Sequence, residues 1–531
     1  MTSEDDKKKK KEEETPPEKL PKELQDLIKK LGPGMSFAIP LGVDSAAPEE
    51  TEEAEDSSEQ DAKTSEALRF DLTPSQVKEH LDRFVIGQDQ AKKALAVAVC
   101  DHYNHVREVH AAGTDGPPLE YVKQNVILLG PTGVGKTYLI RTIAQLIGVP
   151  FVKADVTKFS ETGYVGGDVD DLARELIRAA DGDVKLAEYG IIFLDEIDKV
   201  ASASNIMGRD VSGRGVQTGL LKLLEETEVP IKSPNDISAQ FQDLMQMRRG
   251  KTGKRTINTR HILFVVSGAF TGLGEIIERR LNESNVGFTT SSTPLETDDA
   301  TFAEVATRDF IDYGFEPEFI GRLPIRVALR DLTEDDLFQI LVGSEGSILK
   351  QHRENFRGYG IEVAFEKEAI RAIATKAMHE KTGARGLMTV LEACLRDFKF
   401  HLPDLDVKRL VVNPALIENS ETTLAKILKN SKEAGRGFDA IEVRRFEDEF
   451  ERVHGVRLKL DDASIVMAVA VAKGLHMSTP VYLKGVFSKH VAFLKKINSE
   501  TKRSEFPVTP QILNRPEEGV TLWLRGKKKQ G

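Results

Sequence analysis

Residues Asn125-Val126-Ile127-Leu128-Leu129-Gly130-Pro131-Thr132-Gly133-Val134-Gly135-Lys136-Thr137 run from an apolar stretch through a glycine-rich turn, GxxxxGKT, into a segment of helical periodicity. A buried strand, a tight loop and a helix N-terminus suit that order, and together they make a phosphate-binding loop. Across Gly130, Pro131, Thr132, Gly133, Val134 and Gly135 the backbone can wrap close enough for its N–H groups to cradle the β/γ-phosphates of a nucleotide. Lys136 adds a point charge, and the Thr137 hydroxyl is a suitable ligand for Mg²⁺.

A partner motif follows. Gly190-Ile191-Ile192-Phe193-Leu194-Asp195-Glu196-Ile197-Asp198 is a continuous apolar run, as in a strand covered on both faces, ending in acids. Asp195 is placed to hold the Mg²⁺ shell. Glu196, one residue on, is placed to orient or deprotonate an attacking water, which a hydrolysing enzyme needs and a passive nucleotide binder does not.

The chain has 531 residues, 40% of them hydrophobic, enough for two to four domains with cores of their own. No run of 18 apolar residues is present and the N-terminus is Lys/Glu-rich, so neither a membrane span nor a signal peptide is expected, and the cytoplasm is the default location. Cys100 and Cys394 are the only cysteines, too few for a disulfide framework or a zinc site. A net charge of −11 argues against a general nucleic-acid binder.

Residues 1–68 read as a charged, mostly disordered arm carrying one short amphipathic helix with Leu24, Leu27, Ile28 and Leu31 on one face. Residues 69–330 alternate helical patterns with apolar runs at 126–129, 151–154, 191–194, 261–266 and 325–329, which predicts an α/β fold with a parallel sheet flanked by helices. Residues 331–430 read as a small, mainly helical domain with one alternating segment at Ile361, Val363 and Phe365. Residues 437–531 form an α+β extension. Its segment at Val456, Leu458 and Leu460 repeats that alternation at a constant offset of 95 (Ile361 to Val456), either as a second copy of the small domain or by coincidence between two strand-to-helix segments.

Val85-Ile86-Gly87-Gln88, the phosphate loop, Gly163-Tyr164-Val165-Gly166, Leu194-Asp195-Glu196-Ile197-Asp198-Lys199, Arg209-Asp210-Val211-Ser212-Gly213, Pro317-Glu318-Phe319-Ile320-Gly321-Arg322-Leu323-Pro324 and Thr382-Gly383-Ala384-Arg385-Gly386-Leu387 occur in one order. That order resembles the ClpX-type AAA+ unfoldases, from about residue 72 to about residue 417. The resemblance implies a AAA+ ATPase domain and a homo-hexameric ring that uses ATP and Mg²⁺ to pull protein substrates through a central pore. Val85 and Ile86 would flank the adenine, with Ile340 lining the same pocket from the small domain. Arg322 resembles the finger given in trans to a neighbour's γ-phosphate, where a forked, permanently charged donor stabilises the transferring phosphoryl group. Arg385 resembles the sensor-2 arginine, and Ser267 stands where a sensor-1 residue is expected. Tyr164 and Val165, a bulky pair between glycines, resemble a pore-loop grip.

The departures bear on partners. No cysteine precedes Cys100, so the family's N-terminal zinc domain has no counterpart and a charged arm stands in its place. The basic loop reads Met247-Arg248-Arg249-Gly250-Lys251-Thr252-Gly253-Lys254-Arg255, either an acidic-substrate or nucleic-acid contact or an ordinary solvated loop. Val286-Gly287-Phe288 stands where the family carries the Ile-Gly-Phe loop that docks a ClpP-type peptidase. If that segment is instead an apolar turn, the chain remodels proteins without degrading them.

Overall fold

The computed structural model describes residues 70–112, 122–159, 167–201, 211–231, 256–284, 298–344, 347–517, 519 and 523. Tyr164, Val165, Val286, Gly287, Phe288, the basic loop at 247–255 and the arm at 1–68 lie outside them.

Five strands, β1 (Val126–Leu129), β2 (Phe151–Asp155), β3 (Ile191–Asp195), β6 (Leu263–Gly268) and β7 (Ile325–Ala328), form a parallel sheet in the order β2-β3-β6-β1-β7. Side chains alternate faces along a strand, so each run feeds two cores. Val126, Leu128, Ile191 and Phe193 meet α1 (Pro74–Phe84), α2 (Asp89–Ala112) and α3 (Lys136–Ile147) on one face. Ile127, Leu129, Ile192 and Leu194 meet α4 (Asp171–Ala179), α5 (Val211–Leu224), α6 (Leu273–Ser284), α7 (Thr307–Tyr313) and α8 (Pro317–Gly321) on the other. Two-faced burial explains why β1 is apolar throughout and β3 and β6 are apolar up to their carboxyl ends. Truncating a central side chain such as the fully buried Phe193 would cost about 3–5 kcal/mol. A second, antiparallel pair, β4 (Glu228–Pro230) with β5 (Thr256–Asn258), buries Val229 and Ile257 in the second of these cores.

Helix α1 begins where Thr73 and Gln76 form a reciprocal capping box with Pro74 at the first turn, and it buries Val77 and Leu81 four residues apart. The turn that follows is fastened to the end of the sheet. The Gln88 side chain donates to the Arg330 carbonyl at 2.7 Å and accepts from the Arg330 N–H at 3.0 Å.

Beyond Arg330 come α9 (Glu334–Gly343), α10 (Ile348–Gly358), β8 (Glu362–Phe365), α11 (Lys367–His379), α12 (Ala384–His401), β9 (Arg409–Val412), α13 (Pro414–Glu418) and α14 (Ser420–Lys429). Where the sequence leads one to expect a single strand segment among helices, the region holds two: β9 pairs with β8 in parallel, Glu362 opposite Arg409. Thr333 and Asp336 cap α9, and Arg330 grips Asp336 through two nitrogens, at 2.5 and 2.9 Å.

The remaining chain forms α15 (Phe438–His454), β10 (Arg457–Leu460), α16 (Asp462–Gly474), α17 (Thr479–Phe487), α18 (Val491–Thr501), β11 (Glu505–Val508) and α19 (Pro510–Asn514) around its own core, which includes Phe446, Phe450, Leu458, Phe487, Phe506 and Trp523. Strands β10 and β11 are again parallel, Arg457 opposite Glu505. Paired parallel strands flanked by helices thus recur 95 to 96 residues further on (Glu362 to Arg457, Arg409 to Glu505). In α16 the buried positions are Ser464, Ala468 and Ala472, while Val466 faces solvent. Phe438 joins this region to β8 and β9 by packing with Ala364 and Val411. No single helix among the described residues is long and apolar enough to cross a membrane.

Candidate active site

At the carboxyl end of β1 the chain turns through Gly130–Gly135 and enters α3 at Lys136. Gly135, at the N-cap, is left-handed and gives no side-chain cap, so the first-turn N–H groups face outward and favour an anion. The Lys136 ammonium donates to the carbonyls of Gly130 and Pro131 at 2.6 and 2.9 Å. Burial pushes Lys136 below the usual lysine value; Asp195 and Asp198 pull it up, and Arg385 pushes it further down. That influence brings Arg385, exposed in the first turn of α12, within electrostatic reach of the loop.

The same loop is braced by the small domain. The Ala384 N–H donates to the Gly133 carbonyl at 3.0 Å. Gly133 has φ +82°, and a Cβ there would fall 2.1 Å from the Thr382 carbonyl oxygen, so no other residue fits.

The second cluster lies one to three strands away. Asp195 ends β3, where its Oδ1 accepts from the Ser267 hydroxyl at 2.7 Å and from the Glu196 N–H at 3.2 Å. Its Oδ2 lies 2.8 Å from the Lys153 ammonium. Burial alone would raise the Asp195 carboxyl, but the hydrogen bonds from Lys153 and Ser267 outweigh it and hold the group below the usual carboxylate range. Lys153 also donates to the Thr137 hydroxyl at 3.3 Å, so one ammonium ties Thr137 to Asp195. Two hard oxygens already bridged by a cation are a donor set that fits Mg²⁺.

Glu196 leaves the strand at φ +59°, ψ +33°, a left-handed conformation rare for a non-glycine residue, and is exposed to solvent. Val85 is buried and Ile86 half-buried; the Ile86 Cδ1 would meet a Cβ added to Gly343, so Ile86 lies against α9, the helix that carries the partly buried Ile340.

Arg322 does not join the cluster. Its carbonyl accepts from the Asn125 side chain at 3.0 Å, at the end of β1 opposite Gly130. Five residues at about 3.3 Å each separate those ends by roughly 16 Å. Its guanidinium pairs with Glu225 at 2.6 Å and stays 56% exposed, away from its own loop.

Linear spacing does not single out Lys153, and it marks Asp198 only as part of the strand-end motif. Lys153 is the one cation in the strand Phe151–Asp155, but only the sheet order brings that strand beside Asp195. Asp198 is buried next to Gly268, where an added Cβ would meet its Oδ1 at 2.6 Å.

Two family descriptions match: the AAA domain (Cdc48 subfamily) over residues 122–326, and the C-terminal, D2-small domain of ClpB protein over residues 332–398. The ATP-dependent Clp protease ATP-binding subunit ClpX of Treponema denticola is 42% identical over 359 residues, covering 66% of this chain and 82% of its own. The protein of that name from Borrelia duttonii is 41% identical over 351 residues (66% of this chain, 79% of its own), and that from Porphyromonas gingivalis 41% over 359 (67% and 84%).

Proposed function

The chain belongs to the ClpX-type AAA+ proteins and is an ATPase, and from that premise we propose that it is a protein unfoldase that threads polypeptides through a homo-hexameric ring and feeds a ClpP-type peptidase. The observation that carries this reading is the meeting of three elements at one end of the sheet. The phosphate loop, the Asp195–Glu196 strand end and the Thr382–Ala384 turn of the small domain touch or face one another there.

In this reading the loop amides and Lys136 bind the β/γ-phosphates, and Val85, Ile86 and Ile340 hold the adenine. Thr137 and Asp195 hold Mg²⁺, which when bound neutralises phosphate charge. Ser267 fixes one Asp195 oxygen. Glu196 orients the attacking water, and its left-handed backbone keeps the carboxylate out of the sheet. Arg322 serves the neighbouring subunit. Arg385 reports the nucleotide through α12 to the small domain, whose turn already rests on Gly133. Tyr164 and Val165 grip the substrate, and Val286, Gly287 and Phe288 dock the peptidase.

Replacing Glu196 by Gln tests the reading: nucleotide binding persists while turnover falls by about 10²–10⁴. A ring held in that state retains its clients for identification by mass spectrometry. Wild-type turnover in the variant removes Glu196 from the mechanism.

Residues 437–531 lie outside both matched family domains. We read them as a degenerate second copy of the small domain, supported by the recurring parallel strand pair and by the place of Pro480, at the start of α17, where Arg385 stands at the start of α12. Such a copy has no nucleotide-sensing arginine. An extra domain of this kind favours the second reading, a stand-alone remodeller. ATP-dependent proteolysis with an added ClpP-type peptidase, lost on Phe288→Ala, decides for the first; no association in any nucleotide state decides for the second.

A further inference from the structure

Lys153 sits on β2, the edge strand next to β3, in register with Phe193. Its ammonium lies 5.9 Å from the Phe193 ring centroid, 2.8 Å from Asp195 Oδ2 and 3.3 Å from the Thr137 hydroxyl. Thr137 comes from the first turn of α3 and Asp195 from the end of β3, and the Lys153 side chain spans both. An ammonium carries three donors and no acceptor, so it can satisfy two oxygens at once yet add only one charge. The side chain is 35% exposed on a flexible four-carbon stem, so it can leave without disturbing the sheet.

We propose that Lys153 is a tethered cation that shares the Thr137–Asp195 oxygens with the divalent ion and competes with it. The inference rests on the assignment of Thr137 and Asp195 as metal ligands. Two consequences follow from charge alone. Without a divalent ion, Lys153 cancels the Asp195 charge that would otherwise repel incoming phosphates, so nucleotide binds appreciably in chelator. With the ion present, the ammonium must be displaced from Asp195, so more Mg²⁺ is needed to reach the metal-bound state. Lys153 is thus a positioning residue whose signature is the metal dependence of binding.

The test uses the full chain and a fluorescent ADP analogue, titrated in excess EDTA and then against rising Mg²⁺. Lys153→Met keeps the length of the side chain and removes its charge; Lys153→Gln is a second uncharged variant, and Lys153→Arg keeps the charge. Both uncharged variants should bind about fivefold more weakly in EDTA, the scale of one partly exposed ion pair, and should reach half-saturation at a lower Mg²⁺ concentration than wild type. Lys153→Arg should restore binding in EDTA. Equal affinity in EDTA and an equal Mg²⁺ midpoint for wild type and both uncharged variants overturn the inference while leaving the metal ligands in place. Binding that ignores Mg²⁺ in every protein overturns the ligand assignment and the inference with it.

Discussion

Replacing Gly383 by Ala strikes the joint between the phosphate loop and the small domain at a residue not itself assigned to the nucleotide. Gly383 has φ +58° and ψ −141°, a region essentially closed to residues with a Cβ. The added carbon would also lie 2.7 Å from the Gly133 carbonyl oxygen and 3.0 Å from that of Thr132, both backbone atoms with little room to yield. The turn must therefore retreat, and the 3.0 Å bond from Ala384 N–H to Gly133 is lost. Strain of about 1–3 kcal/mol and a hydrogen bond worth about 1 kcal/mol sum to roughly 2–4 kcal/mol against the docked arrangement. That is a factor of about 30 to 900 in the docked-to-undocked ratio. If docking is needed for turnover, ATP hydrolysis falls by at least about tenfold on that scale, and the amides of residues 132–136 exchange faster with deuterium. Gly360→Ala is the control, since Gly360 has φ +75° in the same domain but nothing within 4 Å of an added Cβ. Wild-type turnover and unchanged exchange in the Gly383 variant would refute the brace.

Arg322→Ala should lower turnover by about 10³–10⁵ while leaving nucleotide affinity intact, since Arg322 lies at the far end of β1; a parallel loss of affinity in a binding titration would place it in its own subunit's site. Burial raises the Asp336 carboxyl, but hydrogen bonds from Arg330 and Thr333 outweigh that and hold it at about 2, against an ordinary 3.8. A depressed carboxylate stabilises above its unfolded value, so about 2 kcal/mol is fully present above pH 5 and is lost as pH falls from about 4 to 2. Amide exchange in the first turn of α9 reads this: wild type exceeds Asp336→Asn in protection at pH 6, and the gap closes by pH 2. A constant gap would rule the carboxylate out. Deleting residues 438–531 should leave basal turnover in place while changing which clients are processed; a truncated chain that folds and assembles but cannot hydrolyse ATP would refute this.

The sheet was legible where burial on both faces leaves an unbroken apolar run, as in β1, β3 and β6. Strands β9 and β11 were not. β9 begins with the charged Arg409 and β11 contains Pro507, and the partner of each lies more than forty residues back across a helical crossover, so no local turn announces the pairing. The helix Asp171–Ala179 follows the charged run Asp168, Asp170 and Asp171 and starts only at its last acid. Ahead of it, the Asp168 side chain accepts from the Asp170 N–H at 3.2 Å, a local bond that competes with helix. In the site, the residues fixed by a linear spacing could be found, because loop, strand end and acid are neighbours in sequence. Ser267 was expected beyond a strand at 261–266 and lies within β6, with its hydroxyl turned to Asp195. Lys153 escaped notice because its meaning depends on which strands are adjacent, and strand order leaves no trace in spacing.

Helix α15 touches the small domain at both ends. Phe438 and Asp439 sit on the β8–β9 pair, where Asp439 meets Arg409 at 3.0 Å, and Arg452 donates to the Gly343 carbonyl at 2.7 Å, at the end of the helix that carries Ile340. Seventeen residues of helix are about 25 Å long. A beam pinned at two points cannot swivel on either, so residues 438–523 ride with α9 instead of trailing from a hinge. Should α9 and the β8–β9 pair tilt together by about 10°, a point 25 Å from the tilt axis moves about 4 Å. A movement of α9 is thereby passed through Arg452 and Gly343 to the region that follows α15.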